Sequence, residues 1–463
     1  MSSGTSGDVT TAFQKAADLA SKLHVGVEFP NEGNYTLKGT ILINGGVSFV
    51  HGNDSHISVS AVSSGRPYSI RLGGADVSTH TELSDLTIDM NGLKNTSAIY
   101  GSDVQGAYVH NLTIVDASYN GMFFTTTSSS LHNITLADNN IKLNWSASAS
   151  DNHYYGINIS NILDISSKYS SYALPIWQQY VETGTVPKSL YDVSGIKITG
   201  NQIDGGYYGI SFSGVSDSEI SNNLITNNVR NISIQNNSNN NKVFDNYLTG
   251  QDSSAVRLAY NSDGNTVSKN TIVSNTSYRQ AFLQAYQDSD DNTFSSNTIE
   301  VLGSNMPGWA LYSGTDSSGT SFISNVVSGN IRKTVIGVEP VWDYYSANAQ
   351  GTQRAALMSS LVVGSNGEKV PYDGGVGSIS DITVYANIID SGYKYASIVY
   401  AGADVSNGYD GKQSIVGNIN NLAVNHNVVF GTSGTDFTDV LRTHENGASI
   451  TNVTSSSNAV LDG

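Results

Sequence analysis

The 463-residue chain has no cysteine, which excludes disulfides, thiolate metal sites and a cysteine nucleophile and leaves the compartment open. Proline is scarce, at 7 residues, and Asp, Glu, Lys and Arg together make up only 13% of the chain. No run of 18 apolar residues occurs, so no segment reads as a membrane-spanning helix. Lys and Arg number 22 against 39 Asp and Glu, and with no basic run the net charge of −17 repels nucleic acid and anionic membranes alike. The opening MSSGTSGD lacks the basic start and apolar core of a signal peptide. The chain is therefore expected to be a trimmed form of a longer one, with the ending SSSNAVLDG also stopping short of further sequence.

What the chain has in abundance is Gly (46 residues), Ser, Asn, Thr and 26 Tyr. Gly and Asn tolerate the left-handed backbone of tight turns, so this composition suits many short strands and not a helical bundle. Tyr offers a flat apolar face with a hydrogen-bonding tip, which serves a sugar ring or ordinary strand packing equally well. An acidic, cysteine-free, Ser/Asn-rich chain is expected to be secreted.

One six-residue pattern recurs: apolar, two small or polar residues, Asn, any residue, apolar. It reads ITGNQI, ISNNLI, VFDNYL, VSKNTI, FSSNTI and FISNVV, placing Asn201, Asn223, Asn246, Asn270, Asn297 and Asn325 at spacings of 22, 23, 24, 27 and 28 residues. Weaker copies hold Asn139, Asn387 and Asn427. That spacing is one coil of a solenoid, and asparagines stacked about 4.8 Å apart can bond amide to amide. The predicted fold is all-β: a right-handed parallel β-helix spanning 1–463 as one domain, with an N-terminal cap over 1–35.

A second apolar alternation lies about ten residues before each copy and reads YYGINI, YYGISF, VRNISI, SAVRLA, AFLQAY and WALYSG, with GMFF upstream. Side chains alternate along a strand, so Ile157, Ile210, Ile232, Val256, Leu283 and Leu311 are expected in the core. Their neighbours Phe123, Asn158, Ser211, Ser233, Arg257, Gln284 and Tyr312 are expected to face solvent. So is the column Asn120, Tyr155, Tyr208, Arg230, Ser254, Ala281 and Trp309. The two columns form one long outward face bearing aromatics and arginines.

Ahead of the repeats, Asp8 is placed to cap a helix, with Val9, Phe13, Ala16, Ala20 and Leu23 at helical spacing. A short amphipathic helix is how a solenoid covers its open end. The segment GDVTTAFQKAADLASKL followed by VEFPNEGNYTL, with its Pro30/Gly33/Tyr35 element, resembles the start of the pectate-lyase-like superfamily of parallel β-helix proteins. Of that family's Gly-Asp-Gly-x-x-Asp-Asp lead-in only the tail survives, in Thr5 to Thr10. The resemblance covers architecture and no catalytic signature. It implies lyases, hydrolases, epimerases or tailspikes acting on polysaccharides, among which fold alone does not choose.

Two segments break the coil rhythm. Residues 161–193 are rich in aromatics and are expected to wall the groove with Tyr169, Tyr172, Trp177 and Tyr180, or else to bury these in a small core of their own. Residues 337–377 hold a weaker candidate set, Glu339, Trp342 and Asp343. The acidic run Gln287 to Asn292 is a candidate for Ca²⁺. Its alignment with NSDGN and NSNNN in adjacent coils reads it instead as a repeated turn.

The face gathers the residue types that β-elimination from a uronic acid requires. A guanidinium neutralises the carboxylate in bidentate fashion, and Tyr or His removes the C5 proton and protonates the leaving oxygen. Arg230 and Arg257 are the candidates for the first task; Tyr155, Tyr208 and His153 are those for acid and base. Tyr154, Asn158, Tyr207, Trp177, Gln284, Trp309 and Tyr312 are candidates for sugar contacts. The structural alternative pairs the arginines with Asp204 or Asp252 and stacks Tyr on Tyr. A hydrolase would need two carboxylates roughly 5 to 10 Å apart, and the outward columns contain none. Paired-Asp and Gly-His-Gly patterns of polygalacturonase-like hydrolases are missing, as is the Asp-Pro-His-Asp signature of alginate epimerases. The expected function is a secreted lyase of an acidic exopolysaccharide. A hydrolase or tailspike-like depolymerase, a C5-epimerase and a non-catalytic adhesive β-helix stand as alternatives.

Overall fold

The computed structural model describes residues 7–73, 80–145, 154–164, 188–251, 253–274, 281–302, 309–314, 317–329, 335–342, 362–363, 369–370, 378–391, 397–402, 415–416, 418–431, 439–444 and 449–462. Apart from two short antiparallel pairs, Val341–Trp342 with Ile415–Val416 and Val362–Val363 with Lys369–Val370, they form coils of short parallel strands with one helix, the parallel β-helix that the Asn spacing predicts. Two compact units are distinguished: residues 1–162, 190–233 and 240–251 in the first, and 163–189, 234–239 and 252–463 in the second.

In the first unit, register carries one apolar column through Ile41, Ile70, Ile99, Met122, Ile157 and Ile210. In the second it runs Val256, Leu283, Leu311, Ile336 and Val399. All of these are fully buried. Ile, Val and Leu dominate because β-branched and aliphatic side chains fill a pleated interior.

The helix runs Thr10–Leu23 and lays Phe13, Ala17 and Ala20 on the first coils. Phe13 meets Phe29 edge-on at 4.9 Å, and Phe29 meets Tyr35 at 5.4 Å. Two sequence expectations shift here. Leu23 is 60% exposed and Ala17, not Ala16, is buried, because the stripe follows i, i+4, i+7 from Phe13 and the helix ends at Leu23, with His24 left-handed. Asp8 lies one residue too early to be the N-cap, and its carboxylate instead accepts the Thr10 N–H at 3.0 Å and hydroxyl at 2.6 Å. Gln14 closes the strand edge: Leu42 N–H donates to its Oε1 at 2.8 Å, and its Nε2 donates to Leu42 O at 3.0 Å.

The asparagines form ladders. In the first unit Nδ2 of Asn139, Asn201 and Asn223 donates to Oδ1 of Asn201, Asn223 and Asn246 respectively, all at 2.9 Å. In the second, Asn270, Asn297, Asn325, Asn387 and Asn427 do the same at 2.9–3.0 Å, ending at Asn458. Each Oδ1 also accepts the backbone N–H of the preceding rung, as Asn223 Oδ1 does from Asn201 at 2.9 Å. The residue just before each rung has positive φ, from Asp138 (55°) and Gly200 (70°) to Ala386 (54°) and His426 (60°). A left-handed residue reverses the chain into the rung, and the paired amides hold it even where the residue is alanine.

The run Gln287 to Asn292 is a repeated turn. In the second unit Asn239 Oδ1 accepts the Asp263 N–H (2.8 Å), Asp263 Oδ1 accepts that of Asp290 (2.8 Å), and Asp290 Oδ1 accepts that of Ser318 (2.7 Å). Among the described residues no three His, Cys, Asp or Glu side chains are grouped to hold a metal ion. Burial, reinforced by the neighbouring carboxylates of Asp290 and Asp291, pushes Asp263 from 3.8 to about 6.

Replacing Asn223 by Ala strips the Asn201 N–H and amide of their acceptor and Ile198 O of a donor. The expected loss is about 3–5 kcal/mol in urea unfolding, whereas Asn222→Gly, at φ 56°, stays within about 0.5 kcal/mol. Asp263 generates a second test. Its folded pKa lies above the unfolded one, so its contribution to stability is complete below about pH 4 and lost as pH rises through about 6. The unfolding midpoint of the wild type should therefore fall over that window, and Asp263→Asn should flatten this part of the profile.

Candidate functional site

In the first unit, strands Asn120–Thr125, Tyr155–Ser160 and Gln202–Ser213 lie side by side, aligning Asn120 with Tyr155 and Tyr208, and Phe123 with Asn158 and Ser211. The glycine after each Tyr permits this approach: a Cβ on Gly156 would stand 2.6 Å from Gly209 O. The Tyr155 and Tyr208 rings therefore stack at 4.9 Å and 8°. Tyr207 meets Tyr208 edge-on at 4.9 Å, and Trp145 meets Tyr207 edge-on at 6.4 Å.

Arg230 completes the cluster. Its Nη1 donates to the Tyr207 hydroxyl at 3.0 Å and to that of Tyr208 at 3.3 Å, and its guanidinium carbon lies 5.3 and 5.5 Å from the two ring centroids. Asp204, one of the acids considered as a partner for the arginines, is engaged by Thr226 and Asn227 at 2.7 Å each. Burial pushes the Tyr155 phenol well above the ordinary tyrosine range; Tyr208, Tyr119 and Tyr207 add to the shift, and Arg230 opposes it. At neutral pH Tyr155 is thus held as the neutral phenol. Tyr154 contributes its carbonyl, which accepts the N–H groups of Tyr207 and Tyr208 at 3.0 Å.

In the second unit, Arg257 aligns with Gln284 and Gln284 with Tyr312, as the sequence predicts. The Arg257 guanidinium lies between the rings of Tyr260 (5.0 Å) and Tyr286 (5.1 Å). Trp309 packs 6.3 Å from Tyr312 and 5.8 Å from Tyr400.

The expectation of a solvent-exposed face requires correction. Ser211, Ser233, Arg257 and Gln284 are 0–4% exposed, and Asn120, Tyr208, Ser254 and Ala281 are also buried. Adjacent coils stand only about 4.8 Å apart, so long side chains on one coil lie over short ones on the next. His153 and Trp177, with Tyr169, Tyr172, Tyr180, Asp252 and Asp343, lie outside the described residues.

Arg71, Tyr68 and Tyr100 are not among the sequence candidates: Arg71 aligns with Tyr100 and Tyr100 with Phe123 in one column, while Tyr68 aligns with Ser97. The strand SAIYGS stands one coil before GMFF and would have revealed them. Its marker was missing, because Leu112 occupies the rung position whose N–H reaches Asn139 Oδ1 at 3.0 Å.

A family model described as NosD, periplasmic copper-binding protein, matches residues 150–355. No curated protein matches the sequence. Among solved structures, pre-mature gene product 12 of bacteriophage phi29 is similar at 12% identity and TM-score 0.52, over 99% of this chain and 65% of that one. The A-module of the mannuronan C-5 epimerase AlgE4 of Azotobacter vinelandii is similar at 12% identity and TM-score 0.43, over 97% of both chains. The surface adhesin PfbA of Streptococcus pneumoniae is similar at 15% identity and TM-score 0.40, over 98% of this chain and 88% of that one. The phage likeness is one of fold. Copper does not fit the donors of the matched segment, which holds one histidine, His153, one methionine, Met306, and no cysteine.

Because Arg257 is 4% exposed and flanked by two rings, Arg257→Ala should lower unfolding free energy by about 2–4 kcal/mol. An unchanged urea midpoint would show that the guanidinium contributes no packing.

Proposed function

We propose that the chain binds an acidic polysaccharide through the Tyr155/Tyr207/Tyr208/Arg230 cluster and cleaves it by β-elimination outside the cytoplasm. The observation that carries this reading is Arg230 Nη1 shared between two phenol hydroxyls, a cation fixed in direction beside a proton donor. The guanidinium neutralises the uronate carboxylate and so acidifies the C5 proton. A base takes that proton, the electron pair forms the C4–C5 double bond, and the C4–oxygen bond breaks. The phenol of Tyr155, held protonated, gives its proton to the departing oxygen. The base is then His153 or Tyr208.

Hydrolysis is less well supported, since no carboxylate pair flanks the described cluster. The resemblance to β-helix polysaccharide enzymes supports the sugar class, and the aromatic rings suit its apolar faces.

Incubation with uronate polymers should generate the ultraviolet absorbance of an unsaturated uronate. Reducing ends without it would replace elimination by hydrolysis, and binding without either product would make the protein an adhesin. Arg230→Ala should lower turnover by about 10²–10³-fold. Tyr155→Phe should retain polymer binding and lose about 10²–10⁴-fold in rate; full turnover in that variant removes Tyr155 as the acid.

A further inference from the structure

Away from Arg230, the first unit repeats the same chemistry near its N-terminal end. The rings of Tyr68 and Tyr100 stack at 4.6 Å and 8°, as those of Tyr155 and Tyr208 do at 4.9 Å and 8°. Phe123 closes the far side, its ring 5.6 Å from Tyr100. Arg71 lies beside the stack, with Nη2 held by Ser102 Oγ at 2.8 Å and the Arg71 Nε buried without an acceptor. Among the described residues no carboxylate pairs with it, in a chain where acids outnumber Lys and Arg by 39 to 22. A half-buried guanidinium that no carboxylate neutralises fits an external carboxylate.

A second observation points the same way. Leu42 aligns with Arg71 on the preceding coil and lines an open cavity of about 430 Å³ together with Gln14, Lys15, Asp18, Thr40 and Arg66. The cavity therefore lies one coil from Arg71 and carries two cations, Lys15 and Arg66, together with the carboxylate of Asp18. The strand register runs Arg71, Tyr100, Phe123, Asn158, Ser211, so Arg71 shares its column with the coils of the Tyr155/Tyr208 stack. Four steps of about 4.8 Å separate Arg71 from Ser211, roughly 19 Å along the coil axis.

We infer that Arg71, Tyr68 and Tyr100 form a second subsite that takes the carboxylate of a distal uronate in a polymer already held at Arg230, with the chain end continuing toward Lys15 and Arg66. This rests on the reading that the Arg230 cluster binds an acidic polysaccharide. Burial raises the Tyr100 phenol and Arg71 opposes that shift, which keeps the ring neutral beside the cation. The subsite makes affinity depend on polymer length, because a short oligomer cannot span both arginines.

Isothermal titration of the full chain with polygalacturonate, alginate and hyaluronan, and with the trisaccharide of whichever binds best, tests this. The wild type should prefer the polymer to the trisaccharide, and Arg71→Gln should weaken polymer binding by about tenfold. Arg71→Lys should fall between, because a point charge replaces the planar fork. Polymer affinity within about twofold of wild type in a folded Arg71→Gln, while Arg230→Gln loses binding, overturns the second subsite and leaves the first standing. Should Arg71→Gln fail to fold, the same threshold applied to Arg71→Lys decides. A wild type that binds none of the three polymers overturns both.

Discussion

A single oxygen recurs at the turn of coil after coil: Asn Oδ1, accepting both the N–H and the side-chain amide of the rung before it. The amide's own Nδ2 also reaches a strand carbonyl on the preceding coil, as Asn223 does to Ile198 at 3.0 Å. Buried amides are costly unless every donor and acceptor is met. The turn can therefore sit in the interior only if each coil presents its Asn at the same height. That condition sets strand register, and register decides which aromatic rings stack and where each arginine lies.

Much of this was legible because the constraint is written in residue types. Asn201, Asn223, Asn297 and Asn325 advertise their rungs, and apolar alternation placed Ile157, Ile210 and Leu283 in the core without error. Exposure was not legible. Facing outward is a property of one strand, but being covered is a property of neighbouring coils, so Ser211 and Gln284 became buried under side chains remote in sequence. The Arg71 region escaped notice for a different reason: where leucine replaces the rung asparagine at Leu112, the periodic mark vanishes although the coil persists.

The candidate site shows how packing assigns chemistry. Tyr155 and Tyr208 have the same side chain, and sequence offered no ground for separating their roles. Burial, reinforced by Tyr208, Tyr119 and Tyr207, raises the cost of the Tyr155 phenolate, while the hydroxyl of Tyr208 accepts a hydrogen bond from the guanidinium of Arg230. Position in the stack, and not residue type, sets the two phenols apart.

The ladder rungs differ greatly in how much chain they enclose. Asn201 and Asn223 are 22 residues apart, whereas Asn139 and Asn201 are 62 apart, yet both amide contacts measure 2.9 Å. The second unit repeats this, with 28 residues between Asn297 and Asn325 and 62 between Asn325 and Asn387. Closing a longer loop costs only about 0.6 kcal/mol per doubling. Such a scaffold can acquire or shed an excursion of dozens of residues between rungs while its interior stays intact, so recognition can diversify at the periphery much faster than the frame that carries it.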